Sequence, residues 1–335
     1  MRLSIGIVGL PNVGKSTLFN QITKNQVLAA NYPFATIDPN VGVVEVPDQR
    51  LDKLTEISKS EKRVPAIVEF YDIAGLVKGA SSGEGLGNKF LSHIRETQAI
   101  VHVLRCFQNE EIIHVANKVD PLSDLEIINA ELALKDIETL EKRIDKAEGE
   151  AKAAPPAGGK QAQKDFELLD KTREALSQGE SIIELAGEPV IKELRLLSTK
   201  KKLYLLNGDE SDVSEELKAK IKAEGSAFVV ANLGKEPVLN ELIKKAYEVL
   251  GLISFFTTGE EESRAWTIRD GSTAPQAAGA IHTDFENKFI RAEVVAYSDL
   301  IEAGSWNGAK QKGKMRVEGK EYIVQDGDVM VIRHG

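Results

Sequence analysis

The sequence predicts an α/β protein in which a mostly parallel sheet carries an inserted helical segment and is followed by a small second domain. Apolar strands alternate with short helices up to about residue 124, and a helical period replaces this pattern at residues 125–199. The strand pattern then returns, and after residue 251 it becomes that of a small α+β unit. We therefore expect a sheet domain formed by residues 1–124 and 200–250, a helical insertion at 125–199 and a C-terminal domain at 251–335.

Each of these regions has its own pattern of elements. In the sheet domain, apolar runs predict strands at 3–8, 41–46, 66–71, 99–107, 202–206 and 227–230, and a closing helix near 237–250. In the insertion, an Ala-Ala-Pro-Pro-Ala-Gly-Gly run interrupts the helical period, which predicts two antiparallel helices in a coiled-coil hairpin. In the C-terminal domain, strands at 254–257, 264–268, 289–295 and 329–332 around a helix at 274–281 suit a β-grasp module.

Composition narrows the class of protein. The 335 residues include 42% apolar side chains and a single cysteine, Cys106, and carry a net charge of -9. One cysteine excludes an internal disulfide and a multi-cysteine zinc site, so we expect a cytoplasmic protein. We expect no membrane association, because no apolar run approaches the length of a membrane helix. The negative charge argues against a generally basic nucleic-acid surface, and we expect no sequence-specific DNA binding.

Residues 9–16 read Gly-Leu-Pro-Asn-Val-Gly-Lys-Ser, the pattern of a phosphate-binding loop, and lie between a predicted strand and a predicted helix. Gly9 and Gly14 allow successive N–H groups to point inward, and the helix N-terminus adds partial positive charge. We expect Lys15 to reach the β- and γ-phosphates of a nucleotide and the Ser16 hydroxyl to bind Mg²⁺. The predicted nucleotide-binding residues of this loop are Asn12, Val13, Gly14, Lys15, Ser16 and Thr17.

Three further residues are candidates for contacting Mg²⁺ or the γ-phosphate. Asp72 ends a predicted strand beside the loop and is expected to hold Mg²⁺ through water, although a carboxylate at a strand end is often only a turn or a cap. The N–H of Gly75 is placed to sense the γ-phosphate, which would give this glycine a catalytic role. Thr36, in a polar loop between the first helix and the next strand, would complete the metal shell.

Leu76 lies where many GTP hydrolases carry the glutamine that orients the attacking water. Leucine cannot do this, so we expect slow intrinsic turnover and a different catalytic group. One candidate is a monovalent cation such as K⁺, retained beside the phosphates by Asn12. The other is His114, in the loop after the 99–107 strand, although a lone histidine is more often a surface or core residue.

Two segments compete as readers of the base. Asn117 to Asp120 has the Asn-Lys-X-Asp pattern of guanine readers, but it follows the 99–107 strand too closely for a crossover to the next parallel strand. Asn207 follows a later strand, and an asparagine amide can accept from adenine N6 and donate to N7. Gly208 and Glu210 stand where guanine readers have lysine and aspartate, so adenine is compatible with this segment. The alternative for Asn207 is a turn at the strand end.

Long motifs in this chain resemble those of the YchF/Obg-like ATPase family. They are residues 9–16, Asn-Tyr-Pro-Phe at 31–34, and the segments 72–80, 83–90, 264–268, 274–279 and 281–285. The resemblance implies a Ras-like P-loop nucleotide domain, an inserted coiled coil and a C-terminal ubiquitin-like TGS domain. It also implies Mg²⁺-dependent hydrolysis of ATP faster than GTP, and association with the ribosome as a translation or stress regulator. Asn207 and Glu210 match the family's Asn-X-X-Glu base motif, and His114 matches a histidine proposed to assist hydrolysis.

Three functional hypotheses remain at this point. The leading one is a slow Mg²⁺-dependent ATPase that acts as a molecular switch, with the hairpin and the C-terminal domain as partner surfaces. The second is an ATP-gated adaptor that binds the ribosome and hydrolyses ATP only incidentally. The third is a GTPase that reads guanine through Asn117 to Asp120.

Overall fold

A computed structural model of the protein describes residues 3–25, 41–72, 94–109, 118–153, 159–235 and 237–335. Its first strands are β1 (Leu3–Val8), β2 (Val41–Glu45), β3 (Lys62–Val64), β4 (Ile67–Asp72), β5 (Ala99–Arg105), β6 (Lys201–Asn207) and β7 (Ala227–Ala231). All but β3 form one sheet in the order β2-β4-β1-β5-β6-β7, in which only the β2–β4 pair is antiparallel. The six strands predicted for this sheet are confirmed, with small differences at their ends.

The helices of this part of the chain are α1 (Lys15–Lys24), α2 (Gln49–Ser58), α3 (Pro121–Ala153), α4 (Gly159–Ser177), α5 (Pro189–Leu194), α6 (Glu215–Ala223) and α7 (Leu239–Leu250). The sequence did not predict α2, yet Asp48 caps it by accepting a hydrogen bond from the Arg50 N–H at 3.0 Å. The predicted closing helix is α7, which ends at Gly251 in a left-handed conformation with a φ of 59°. Among the helices of the described residues, none has the length and apolar character to cross a membrane.

Helix α3 is a single 33-residue helix that enters two hydrophobic cores. Its first half buries Leu125 and Ile128 in the core of the main sheet. Its second half packs Leu140 against Leu169 of α4 in a separate cluster. It begins at Pro121, a residue suited to the first helical position, which is four residues before the predicted boundary. The helix therefore joins the sheet and the helical pair rigidly.

The C-terminal part forms a second sheet. Its elements are β8 (Leu252–Thr258), β9 (Glu262–Arg269), α8 (Ala274–Ile281), α9 (Thr283–Asn287), β10 (Phe289–Ala296), α10 (Tyr297–Ala303), α11 (Trp306–Gln311), β11 (Arg316–Glu318) and β12 (Asp328–His334). The strand order is β11-β10-β12-β8-β9-β3, with β12 parallel to β8. Helix α8 covers one face through the fully buried Ala277 and Ala278, which pack with Phe255 and Val294. The four predicted strands and the predicted helix are confirmed.

Strand β3 belongs to the N-terminal half of the chain but completes the C-terminal sheet. It runs parallel to β9, with Lys62 opposite Glu262 and Val64 opposite Arg264. Beside it, the Arg50 guanidinium donates to Asp326 at 2.7 Å. The second sheet therefore draws one strand from before residue 251, where the sequence predicts the boundary.

A histidine without a polar partner lies inside the main sheet. His102, in the middle of β5, is fully buried, and neither ring nitrogen has a hydrogen-bond partner within the described part of the chain. Its ring meets Tyr204 edge-on, with centroids 5.0 Å apart. Burial, and then the positive charge of Lys202, lower the pKa of His102 well below its usual 6.5. The native protein therefore holds this imidazole neutral.

We predict that His102 makes the protein sensitive to acid. Because its pKa is lower in the native state, the unfolded chain binds its proton first, so stability is lost as the pH falls below about 6.5. The loss from this one group approaches about 1.4 kcal/mol per pH unit. Urea unfolding of the wild type and of His102→Leu between pH 5 and 8 should show a smaller slope in the variant. The exposed His334→Gln is the matched control and should keep the wild-type slope; equal slopes for all three proteins would contradict this account.

Candidate nucleotide-binding site

The phosphate-binding loop follows β1 and ends at the first residue of α1, as the sequence predicts. Two positions of the loop require glycine, because neighbouring atoms lie too close for a side chain. A Cβ on Gly9 would lie 2.6 Å from the Val103 carbonyl oxygen, and a Cβ on Gly14 would lie 2.4 Å from the Asn207 amide nitrogen. Gly14 also has a φ of 112°, which L side chains rarely adopt. The buried Lys15 arches back over the loop, where its Nζ donates to the Leu10 carbonyl at 2.6 Å.

A cavity of about 760 Å³ opens at the carboxyl ends of β1, β5, β6 and β7. This is the position at which ligands bind in parallel α/β sheets. The residues that line it are Asn12, Gly14, Lys15, Ser16 and Thr17 from the loop and α1; Phe107, Gln108 and Asn109 after β5; Asn207, Asp209 and Asp212 after β6; and Asn232, Leu233 and Gly234 after β7. Four strand ends therefore supply one cavity. Val13 is predicted to bind nucleotide too, but its side chain is fully buried in the core.

Asn207 holds two of these strand ends together. Its side chain is almost completely buried, and its amide nitrogen donates to the Val13 carbonyl at 2.8 Å. Its amide oxygen accepts from the Leu233 N–H at 3.1 Å. A carboxamide has two N–H donors and two acceptor lone pairs, so these two bonds use one donor and one lone pair of Asn207. The sequence predicted the base contact and did not predict this clamp.

Two carboxylates after β6 line the cavity, those of Asp209 and Asp212, whereas the sequence predicted Glu210. The Glu210 side chain is 70% exposed, does not line the cavity and pairs with Lys218. Asp209 accepts from the Lys235 Nζ at 2.5 Å and from the Asn232 amide at 3.1 Å. These hydrogen bonds lower the pKa of the Asp209 carboxyl. The physical reason is a turn: Asp209 caps a short 3-10 helix at Glu210–Asp212, which directs Glu210 outward.

Gly208 sits too close to its neighbours for a side chain to fit freely. A Cβ at this position would lie 3.1 Å from the Cys106 Cβ and 3.2 Å from Asp212. Gly208 itself does not line the cavity. The lysine that guanine readers carry here would therefore have to displace its surroundings.

Several predicted residues lie outside the described part of the chain. These are Thr36, Gly75, Leu76 and His114, together with the side chain of Asp72. The backbone of Asp72 is the last residue of β4 and pairs in register with Ile7, two residues before Gly9. Of the competing base motif, Asp120 is described: its carboxylate accepts from the Ser123 N–H at 3.2 Å at the start of α3, and it does not line the cavity.

The described residues suit a metal that takes most of its ligands from a nucleotide. Ser16 lines the cavity with an exposed side chain in the first turn of α1. Within the described ranges, no group of three or more His, Cys, Asp or Glu side chains is arranged to hold a metal ion. The Ser16 hydroxyl is a suitable ligand for Mg²⁺ bound together with phosphates, and its role as a metal ligand stays a prediction.

Sequence reasoning identified Asn207 but missed other residues that line the cavity after β5, β6 and β7. Phe107 closes a predicted strand and provides the aromatic ring at the rim, and an aromatic residue just past a parallel strand is a signal that could have identified it. Asp209 and Asn232 had no such signal, because their side-chain directions depend on the turns that carry them. Asn12 was singled out and does line the cavity, with a left-handed φ of 62°.

Comparison with known proteins agrees with this arrangement. The family model YchF-GTPase_C, described as "Protein of unknown function (DUF933)", matches residues 252–335, and the model described as "50S ribosome-binding GTPase" matches residues 4–141. "Ribosome-binding ATPase YchF" of Bacillus subtilis (strain 168) is 49% identical over 367 residues, covering 99% of each chain. The protein of that name from Haemophilus influenzae is 48% identical over 364 residues, again covering 99% of each.

A solved structure extends the likeness to the fold. The Schizosaccharomyces pombe YchF GTPase superposes with a TM-score of 0.83 at 39% identity, covering 99% of this chain and 98% of the other. Both the sheet that carries the phosphate-binding loop and the C-terminal sheet lie within this match. The chain therefore belongs to the YchF family of P-loop nucleoside triphosphatases.

Proposed function

We propose that the protein is a slow, Mg²⁺-dependent ATPase that acts as a nucleotide-controlled switch on the ribosome. The observation that carries this proposal is the single cavity in which the phosphate-binding loop and the ends of β5, β6 and β7 meet. Curated relatives with nearly half their residues identical are named ribosome-binding ATPases, which supports both the reaction and the partner. Because ribosomes act there, we extend the proposal to a cytoplasmic location.

The phosphate end of the cavity would bind the triphosphate. Lys15 is held by the Leu10 carbonyl at the mouth of the loop, so its ammonium group is already positioned beside the phosphate site. The N-terminus of α1 adds backbone N–H groups and partial positive charge. Ser16 and, from the end of β4, Asp72 would hold Mg²⁺, which neutralises phosphate charge when bound. Thr36 and Gly75 keep their proposed roles in completing the metal shell and sensing the γ-phosphate.

The base end of the cavity would favour adenine. Phe107 offers an aromatic face for stacking, which any base can use. The remaining N–H and lone pair of Asn207 match adenine N7 and N6. Lys235 and Asn232 each donate to one oxygen of Asp209, so a guanine would have to share this carboxylate with both of them. The proposed preference therefore rests on Asn207 and on the pairing of Asp209.

We also propose the three-part organisation that the resemblance implies. The α3–α4 pair has its own apolar cluster, which supports an inserted coiled-coil domain near residues 125–199. In the C-terminal sheet, a parallel central pair, β12 and β8, is flanked by antiparallel partners, which supports a β-grasp TGS domain at 251–335. These two parts would supply the surfaces that contact the ribosome. In the adaptor hypothesis the same surfaces act while hydrolysis is incidental.

We predict that ATP binds at least as tightly as GTP and that ribosomes raise the rate of ATP hydrolysis. Calorimetric titration with both nucleotides measures the first, and single-turnover assays with and without ribosomes measure the second. Asp120→Ala should leave the ratio of affinities unchanged, because Asp120 caps α3 outside the cavity. Lys15→Ala is the negative control and should lose nucleotide binding. Binding of GTP ten times more tightly than ATP would refute the assignment of adenine as the base. Ribosome binding with an unchanged rate of ATP hydrolysis would favour the adaptor hypothesis.

We predict that hydrolysis depends on K⁺ through Asn12. Replacing Na⁺ by K⁺ at constant ionic strength should raise the single-turnover rate, and Asn12→Gly should abolish that response. Glycine is the right substitution because it accepts the left-handed backbone at this position, whereas alanine would add strain. Nucleotide affinity should change little.

If His114 instead assists the chemical step, His114→Ala should lower the rate about 10²-fold with affinity nearly unchanged. The two effects are separable, because one depends on the cation and the other does not. Rates that respond neither to the cation nor to either substitution would show that catalysis depends on another group.

A further inference from the structure

One deeply buried charged side chain near the cavity does not line it. Arg105 ends β5, is only 1% exposed and is absent from the cavity wall. Burying a guanidinium is costly unless its donors find partners. Two partners are backbone carbonyls: the Arg105 Nε donates to Phe107 at 3.2 Å, and the Nη2 donates to Asn109 at 3.0 Å. Arg105 therefore fastens the segment that follows its own strand.

The same guanidinium also contacts an aromatic ring. Its central carbon lies 4.6 Å from the centroid of the Phe107 ring. Phe107, Gln108 and Asn109 all line the nucleotide cavity. One side chain thus holds the backbone of the 107–109 segment at two carbonyls and supports the ring between them. Without it, the ring would be free to turn about its side-chain torsions at the edge of the cavity.

Arg105 also connects this segment to the long helix. Asp124, in the first turn of α3, is 1% exposed and attracts Arg105 electrostatically. The Asp124 N–H donates to the Asp120 carbonyl at 2.9 Å, which closes the first turn of α3. Arg105 therefore lies between the cavity wall and the start of α3.

We infer that Arg105 is a positioning residue for the base: it holds the Phe107 ring as a stacking platform without touching the nucleotide. The inference rests on the proposed function in one respect, because it requires that the cavity binds a nucleotide. Arginine is required because its planar fork donates to two carbonyls while its face meets the ring, and lysine offers a single rotating ammonium group. The energetic consequence should appear in recognition of the base and not of the phosphates.

The test compares a ligand that has a base with one that lacks it. ADP and ribose 5-diphosphate are titrated calorimetrically into the full-length wild type, Arg105→Lys, Phe107→Leu and the double variant, in the presence of Mg²⁺. We expect Arg105→Lys and Phe107→Leu each to weaken ADP binding roughly tenfold, which is within the range for one base on an aromatic ring. Ribose 5-diphosphate should bind all four proteins within about twofold. The double variant should bind ADP no more weakly than Phe107→Leu, because Arg105 acts through that ring.

Arg50→Lys is the matched control. Arg50 also lies over an aromatic ring, 5.1 Å from the centroid of Phe256, but it joins the two sheets away from the cavity. The affinities of Arg50→Lys for ADP and for ribose 5-diphosphate should stay at their wild-type values. A variant that binds ribose 5-diphosphate as the wild type does has an intact phosphate site, so its weaker binding of ADP is not a failure to fold.

Three results would overturn the inference. In the first, Arg105→Lys binds ADP normally while Phe107→Leu does not. In the second, Arg105→Lys weakens the binding of ADP and of ribose 5-diphosphate equally. In the third, the losses of ADP affinity caused by the two substitutions add in the double variant. A wild type that binds ribose 5-diphosphate as tightly as ADP would remove the base site and the inference together. A wild type that binds neither ligand would instead refute the proposed function, on which the inference rests.

Discussion

The site depends on one buried carboxamide. Asn207, at the end of β6, bonds to the phosphate-binding loop through Val13 and to the loop after β7 through Leu233. Gly14 packs so closely against it that no side chain larger than hydrogen fits between them. Both bonds are buried, so losing either would leave a polar group unsatisfied, at a cost of about 1 to 3 kcal/mol. The relative positions of the phosphate end and the base end are therefore set before any nucleotide arrives.

From this fixed centre, two rigid connections lead outward. Helix α3 starts beside the cavity, where Asp124 attracts Arg105, and its 33 residues span about 50 Å at about 1.5 Å per residue. Farther along, the buried Asp136 accepts hydrogen bonds from the Leu197 and Ser198 N–H groups, which ties the returning chain to the same helix. Toward the other side, β3 enters the C-terminal sheet. Within the described residues, the helical pair and the C-terminal sheet are therefore each joined to the main sheet by a regular element, α3 in one case and β3 in the other.

The elements that the sequence predicted correctly are those that local sequence patterns determine. Strand β1 and helix α8 were predicted to the residue, because an apolar run before a glycine loop and a Thr-x-x-Gln capping box before an apolar helix are local signals. Strand β3 was missed: its Lys-Arg-Val sequence has no strand signal, and its partner lies about 200 residues away. Asp209 was missed for a different reason. A motif fixes which residue occupies a position, whereas the turn at Glu210–Asp212 decides which carboxylate faces the cavity.

From the same distinction we expect that exchanging motif residues alone does not transfer the proposed base preference. The sequence suggests that Gly208→Lys with Glu210→Asp would build a guanine reader, but a side chain at Gly208 meets Cys106 and Asp212 at contact distances tighter than normal packing. Shortening Glu210 would leave a carboxylate beside Lys218, pointing out of the cavity. The proposed selectivity therefore depends on the backbone path after β6 and on Phe107, which lines the same cavity. A guanine reader would first need a different turn, and only then different side chains.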